Sequence, residues 1–173
     1  MRNEKVKYLT EDEVQRVFDE IGSPRDLAMF TVCYYRGLRA SELREIRRSD
    51  ISLTERTIEI QRLKGSFGGR YDLTAAECAV LGAWMDDPKC NQHPEGTLFP
   101  ISRVMIFMLF QKYATVAGIS RTKRHPHVLK HSIATHLLDR GLSITDVQDW
   151  LGHRDLQNTQ IYFCISMFNF PIL

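Results

Sequence analysis

Near the C-terminal end of the chain, Tyr162 closes the stretch Trp150-Leu-Gly-His153-Arg154-Asp155-Leu-Gln-Asn-Thr-Gln-Ile-Tyr162. A phenol with a pKa of about 10 is a poor nucleophile, so it attacks only where a base or a strongly cationic site stabilises the phenolate as it forms. Upstream the chain offers Arg39, Lys64, His127, Lys130 and His153. An electrophile that suits such a set is a phosphodiester. Its five-coordinate phosphorus carries extra charge on the non-bridging oxygens, and fixed cationic donors around them are the main source of rate. Taken singly, each residue also has an ordinary explanation. Arg39 with Glu42 three residues on reads as a surface salt bridge at helical spacing, Lys64 as a solvated lysine on a turn, and Tyr162 as a core residue of a short apolar helix.

The elements that must position these groups are mostly helical. Thr10-Glu-Asp-Glu13 is a capping box, followed at helical spacing by Val14, Val17, Phe18 and Ile21 before Gly22. Ser23-Pro24 opens a second helix that runs toward Gly37, and a short third one begins near Ala40, which leaves Arg39 at a junction. From Ile51 the pattern changes to period two. Thr57-Ile-Glu-Ile-Gln-Arg alternates, Lys64-Gly-Ser-Phe-Gly-Gly is a loose turn, and Arg70-Tyr-Asp-Leu returns, which predicts a small antiparallel hairpin or three-stranded sheet with Lys64 at its tip. A second capping box, Thr74-Ala-Ala-Glu77, opens a helix with Val80, Leu81 and Trp84 inward. Residues 86–96 form a loop. Ser102 to Gly118 is strongly apolar, too short to span a bilayer, and predicted to be a buried core helix. His127 to Gly141 is an amphipathic helix on which His127, Lys130 and His131 share one face at i, i+3 and i+4. His131 is expected to pack inward and bond the backbone, and His136 to be structural. The next helix runs from Ser143 to Gly152, whose role is to end it so that His153 turns aside; a last one begins around Asn158 or Thr159 and presents Tyr162. The fold class is mainly α with a small antiparallel β-sheet (α+β).

Composition narrows the function classes. The 173 residues, 43% apolar and 25% charged, suit one domain with a real core. A net charge of +2 is weak grounds for a polyanionic partner, but the positive charge is clustered, in Arg36, Arg39, Arg44, Arg47 and Arg48 and again in Arg121, Lys123, Arg124, His125 and His127. Either cluster could equally be a solvated face. Cys33, Cys78, Cys90 and Cys164 are too scattered for a disulfide framework. Cys90 and His93 have a metal-like spacing without a second pair, so neither metal nor cofactor is expected. The N-terminus lacks an apolar signal core, which points to a cytoplasmic, nucleoid-associated protein with no membrane partner.

In this order the motifs resemble the catalytic domain of the tyrosine recombinases, the phage integrase family, from about Tyr8 to Tyr162. Gly37-Leu38-Arg39-Ala40-Ser41-Glu42-Leu43 matches the segment that carries the family's first arginine. The resemblance implies that Arg39 binds the phosphate through its planar fork with Glu42 orienting it. Lys64, in the matching hairpin position, would protonate the departing 5′ oxygen. His127 would donate to the phosphate or accept the phenol proton, and His153 would hold a non-bridging oxygen. The family's His-x-x-Arg-His is here His127-Val-Leu-Lys130-His131. Lysine keeps the charge but replaces a bidentate fork with a compact ammonium, so phosphate positioning loosens, and a working enzyme of at most reduced activity is expected. Leu151-Gly152-His153, followed nine residues later by Tyr162, is the most specific signal. Tyr162 would attack the scissile phosphate to form a 3′-phosphotyrosyl bond that a 5′ hydroxyl of a second duplex then resolves, without metal or nucleotide. Arg121, Lys123, Arg124 and Arg154 are the expected further DNA contacts. The partner implied is double-stranded DNA, with monomers in isolation and a tetramer on synapsed DNA.

The expected organisation is a single catalytic domain, 1–173, with a short apolar tail over 163–173 that docks in cis, docks in trans or is an aberrant end. Family members usually carry a preceding helical DNA-binding domain that this chain lacks, so DNA affinity should be weak and salt-sensitive. Three readings stand at this point. They are a site-specific recombinase or integrase, a type IB topoisomerase-like nicking and closing enzyme, and a catalytically impaired DNA-binding relic.

Overall fold

The computed structural model describes residues 6–62, 67–92 and 96–167, with the backbone alone at Gln92 and over 163–167. Cys164, the apolar tail beyond 167, His93 and Lys64 therefore lie outside the described side chains.

Eight α-helices and one three-stranded sheet make up the described fold: α1 Glu11–Asp19, α2 Pro24–Tyr35, α3 Ala40–Leu43, β1 Ile51–Ser52, β2 Thr57–Ile60, β3 Gly69–Asp72, α4 Ala75–Met85, α5 Arg103–Val116, α6 His127–Asp139, α7 Ile144–Leu151 and α8 Gln157–Met167. Thr10, Ser23, Thr74, Ser102 and Ser143 each accept a backbone N–H from the first turn that follows, so the five longer helices that they open begin where the sequence pattern placed them. Helix α2 lies at the centre. Ala28 through Tyr34 are buried without interruption, which suits a helix covered on opposite sides by α4 and α6. The N-terminal lead is fastened to α6, where Leu9 N–H donates to Ser132 Oγ at 2.8 Å and Leu9 O pairs with His136 Nε2 at 2.9 Å. His136 Nδ1 also meets Tyr34 Oη at 2.7 Å, so this histidine is structural, as expected.

The sheet is antiparallel, order β1-β2-β3, with Ile51 opposite Ile58 and Ile58 opposite Tyr71. Ile58 and Ile60 point inward and Glu59 outward, the alternation the sequence carries. Two expectations need correcting. Helix α5 buries only Ile106, Phe110, Tyr113 and Ala114, against α1, α2 and α3, while Val104 (69% exposed), Met108 (55%) and Val116 (62%) face outward. It is apolar all round, but only one stripe finds a partner. In the first arginine cluster, Arg36 is not on a solvated face. It is 2% exposed, paired through Nε and Nη2 with the Glu77 carboxylate at 2.7 and 2.6 Å, and lies 4.9 Å from the centroid of the Trp150 ring. Among the described residues no helix is long and apolar enough to cross a membrane.

Candidate active site

Arg39 owes its place to a turn that only glycine fits. Gly37 adopts φ +56°, and a side-chain carbon there would overlap Leu151. The turn makes Arg39 the N-cap of α3, where Glu42 holds it twice. Its backbone N–H donates to Glu42 Oε2 at 2.8 Å, and its Nη1 donates to Oε1 at 3.0 Å. Glu42 is fully buried while the Arg39 side chain stays 39% exposed, so a buried carboxylate aims a guanidinium outward. Arg39 and His127 then line one side of an open pocket whose opposite wall is Arg103, Val104 and Phe107 of α5.

Helix α6 carries the three residues of the second motif. His127 is exposed at its start, its ring 4.4 Å from that of His131 and nearly perpendicular. Lys130 is 1% exposed, with Nζ 3.5 Å from Leu151 O. Burial pushes its pKa down to about 7, and the Arg62 guanidinium adds to this while Glu42 opposes it. His131 does not bond the backbone as expected. Its Nδ1 meets Tyr162 Oη at 2.8 Å, so it is the histidine that touches the phenol. The reason is geometric: one turn along α6 from His127, His131 faces α8, which packs directly on α6.

Gly152 ends α7 in the left-handed conformation, φ +66°, and His153 N–H reaches back to Gln148 O at 3.0 Å. The glycine is also required by close approach. A Cβ there would stand 2.5 Å from Phe67 O, whose own N–H donates to Gly152 O at 2.8 Å. His153, thus turned, is 6% exposed and bonds Thr159 Oγ1 through Nδ1 at 3.0 Å. Burial, then Lys130 and Arg39, hold its pKa down to about 4. Burial first and His127 next bring His131 to about 3, and burial with Lys130 and Arg39 also lowers His127. Tyr162 is 2% exposed, and burial raises its pKa to about 12 against the pull of Arg39.

The structure therefore gathers Arg39, Glu42, His127, Lys130, His131, His153 and Tyr162 into mutual electrostatic reach. Lys64 lies outside the described residues, in the segment of sequence between β2 and β3. Of the further basic residues, Arg121 and Arg154 are exposed, Arg154 lying 5.2 Å from the Phe67 ring centroid. Lys123 and Arg124 are bound within the fold instead. Lys123 pairs with Glu13 at 2.7 Å, and Arg124 donates to Ile119 O at 2.6 Å and Thr115 Oγ1 at 3.0 Å. Sequence reasoning missed Arg62, whose side chain is fully buried 3.6 Å from Glu42 Oε2. A signal was present: Arg62 continues the inward alternation of Ile58 and Ile60.

Comparison with known proteins agrees with this geometry. The family model described as the phage integrase family matches residues 7–167. A tyrosine recombinase of Pseudothermotoga lettingae is 33% identical across 94% of the chain and 59% of its own length. The type 1 fimbriae regulatory protein FimB of Escherichia coli K12 is 30% identical across 92% of the chain and 85% of its length. The chain thus spans well under two thirds of the first relative and most of the second. Among solved structures, that of XerA recombinase superposes with a TM-score of 0.78 at 28% identity, covering 90% of this chain and 59% of that one. The XerH site-specific recombinase bound to its palindromic difH substrate reaches the same score at 22% identity and supports the fold alone. With the family model covering almost the whole chain and the motif residues gathered around one tyrosine, the chain belongs to the phage integrase family, the tyrosine recombinases.

Proposed function

We propose that the chain supplies the catalytic centre of a site-specific DNA recombinase. The observation that carries this is the Tyr162 hydroxyl, bonded to His131 and within the field of Arg39, with His127, Lys130 and His153 acting in turn on His131. Tyr162 Oη attacks the scissile phosphorus, its proton passing to His131 Nδ1. Neutral imidazole is the form that burial favours there, and with its own proton on Nε2 it accepts from the phenol. The bond from phosphorus to the 5′ oxygen breaks, and Lys64 protonates that leaving group. Arg39, His127, Lys130 and His153 hold the non-bridging oxygens as charge develops. A 5′ hydroxyl of a second duplex then attacks the phosphotyrosine and regenerates the phenol. The phosphodiester bond energy is conserved throughout, so no metal or nucleotide enters the balance.

Tyr162 is covered in the protein alone, so α8 must shift for its hydroxyl to meet a phosphate. The partner is double-stranded DNA, consistent with the DNA complexes of the XerH neighbour, and Arg121 and Arg154 are the exposed cations that would follow its backbone. Exchange between two duplexes cuts four strands, one for each tyrosine, which calls for four copies on synapsed DNA and places the working protein on the nucleoid in the cytoplasm. A nicked suicide duplex drawn from the DNA flanking its gene tests the proposal. A covalent adduct that disappears in Tyr162→Phe is expected, and no adduct would leave only a DNA-binding relic. Relaxation of supercoils without recombinant product would favour the topoisomerase-like reading instead.

A further inference from the structure

Arg62 is a buried cation that the proposed chemistry does not use. Its Nη2 donates to the carbonyls of Arg36 at 2.8 Å and Trp150 at 3.1 Å, and its Nη1 to Gly37 O at 3.3 Å, while Nε has no hydrogen-bond partner among the described residues. One guanidinium therefore touches the end of α2, the turn that presents Arg39, the carboxylate that aims Arg39, and the end of α7 just before His153. Lys130 reaches the neighbouring carbonyl, that of Leu151, so the two cations stand side by side at the end of α7. A neutral donor could serve three carbonyls. A buried guanidinium that shares its one carboxylate with Arg39 and leaves Nε unpaired is a costly way to do so, and the cost points to a use for the charge.

We infer that Arg62 is a positioning residue of the catalytic centre: it holds the Glu42 carboxylate against Arg39 and confronts the Lys130 ammonium with a second fixed cation. The inference rests on the reading of Lys130 as a phosphate-binding cation. The groups that act on Lys130 are Arg62 at the end of β2, Arg39 and Glu42 of the α3 turn, Cys33 of α2, His127 and His131 of its own helix, and His153 beyond α7. Of these, Arg62 is the strongest that favours loss of the proton.

The test is the pH profile of covalent adduct formation on a nicked duplex. In the wild-type protein the rate falls on the alkaline side as Lys130 loses its proton. Arg62→Met and Arg62→Gln, the second of which keeps amide donors for the carbonyls, move that limb to higher pH by about one unit, whatever they cost in absolute rate. Arg62→Lys keeps the charge, so the limb stays in place while the rate drops with the lost fork. Lys130→Arg removes the limb, and adding Arg62→Met to it moves nothing. A limb that stays fixed in the charge-removing variants overturns the inference. So does failure of both to fold, judged by circular dichroism and melting, since Arg62 would then be framework only. A limb that survives Lys130→Arg overturns the reading of Lys130 itself, and the inference falls with it.

Discussion

The burial of Lys130 makes the stability of the free protein rise with pH, as a salt-bridged carboxylate does, but in a window above neutrality instead of in acid. An ordinary lysine holds its proton to 10.5, and burial with Arg62 alongside brings Lys130 to about 7. The folded state therefore binds fewer protons than the unfolded one between those values, and stability rises with pH across that window. The interval corresponds to about 5 kcal/mol in all, at about 1.36 kcal/mol for each pH unit. Linkage gives about 2 kcal/mol of it between pH 7 and pH 9, or about 4–8 °C in Tm for a chain of this size. Histidines held low act in the same sense at lower pH. The contributions of His131 and His153 are present above the ordinary histidine value and are lost as pH falls toward about 3 and about 4. The window closes above pH 9. There Cys33, which burial raises from 9.0 to about 12, contributes stability below its ordinary value that is lost as pH rises. The assay is urea or thermal melting from pH 6 to pH 9, with Lys130→Met alongside. The wild-type protein should gain stability up to about pH 9, and the variant should be more stable at pH 7 and flat from pH 7 to 9. A wild-type Tm that is level or falling over that range would refute the reasoning, because Lys130 would then be charged and solvated by groups the burial argument ignores.

Further outcomes follow from the same site. Because a phosphate beside Lys130 favours the ammonium, binding of nicked DNA at pH 8 should take up protons, read as a dependence of the calorimetric enthalpy on buffer ionisation; no dependence would place the phosphate away from Lys130. Lys130→Arg should leave cleavage equal or faster, since it restores a bidentate fork, and a large fall would give the lysine a role of its own. Gly152→Ala meets both a left-handed φ and Phe67 O, so it should cost about 1–3 kcal/mol by denaturant melting and reduce cleavage by displacing His153. His131→Ala should slow adduct formation by about 10²–10⁴ while leaving DNA binding by gel shift intact, and an unchanged rate would remove His131 from the proton transfer.

Much of this was legible in the chain because the relevant signals are local. Capping boxes at Thr10 and Thr74, the glycine stop at Gly152 and the switch to period two at Thr57 each depend on residues within one turn of each other. The motif residues other than Lys64 come together as their order implied. The misreadings are of side chains whose fate is set by distant partners. His131 was assigned to the core because its helical face could not reveal that α8 would bring Tyr162 onto it. For Lys123 and Arg124, expected as DNA contacts, the sequence does not reveal that Glu13 and Ile119 engage them in the folded chain. Helix α5 was placed wholly in the core because hydropathy counts apolar residues and not the neighbours available to cover them. Arg62 is a different case. Its inward phase is written in the strand, but alternation alone does not say that an arginine there is buried, because the carbonyls and the carboxylate that hold it come from distant α2, α3 and α7.

The electrostatics of the resting site point to one further step. Arg39, Arg62, Lys130, His127 and His153 all act with a single buried carboxylate, that of Glu42, and His131 adds a further titratable group beside them. Burial first, and this excess of positive charge second, make Lys130 and the histidines hold their protons less tightly, and Tyr162 keeps its own because burial outweighs the attraction of Arg39. The empty site is thus a poor place for a further cation, while its burial disfavours the phenolate. A phosphodiester supplies the missing negative charge, restores the proton of Lys130 and strengthens the donors that a five-coordinate phosphorus needs. Burial keeps the nucleophile protonated until then, and its proton leaves for His131 only as the bond to phosphorus forms.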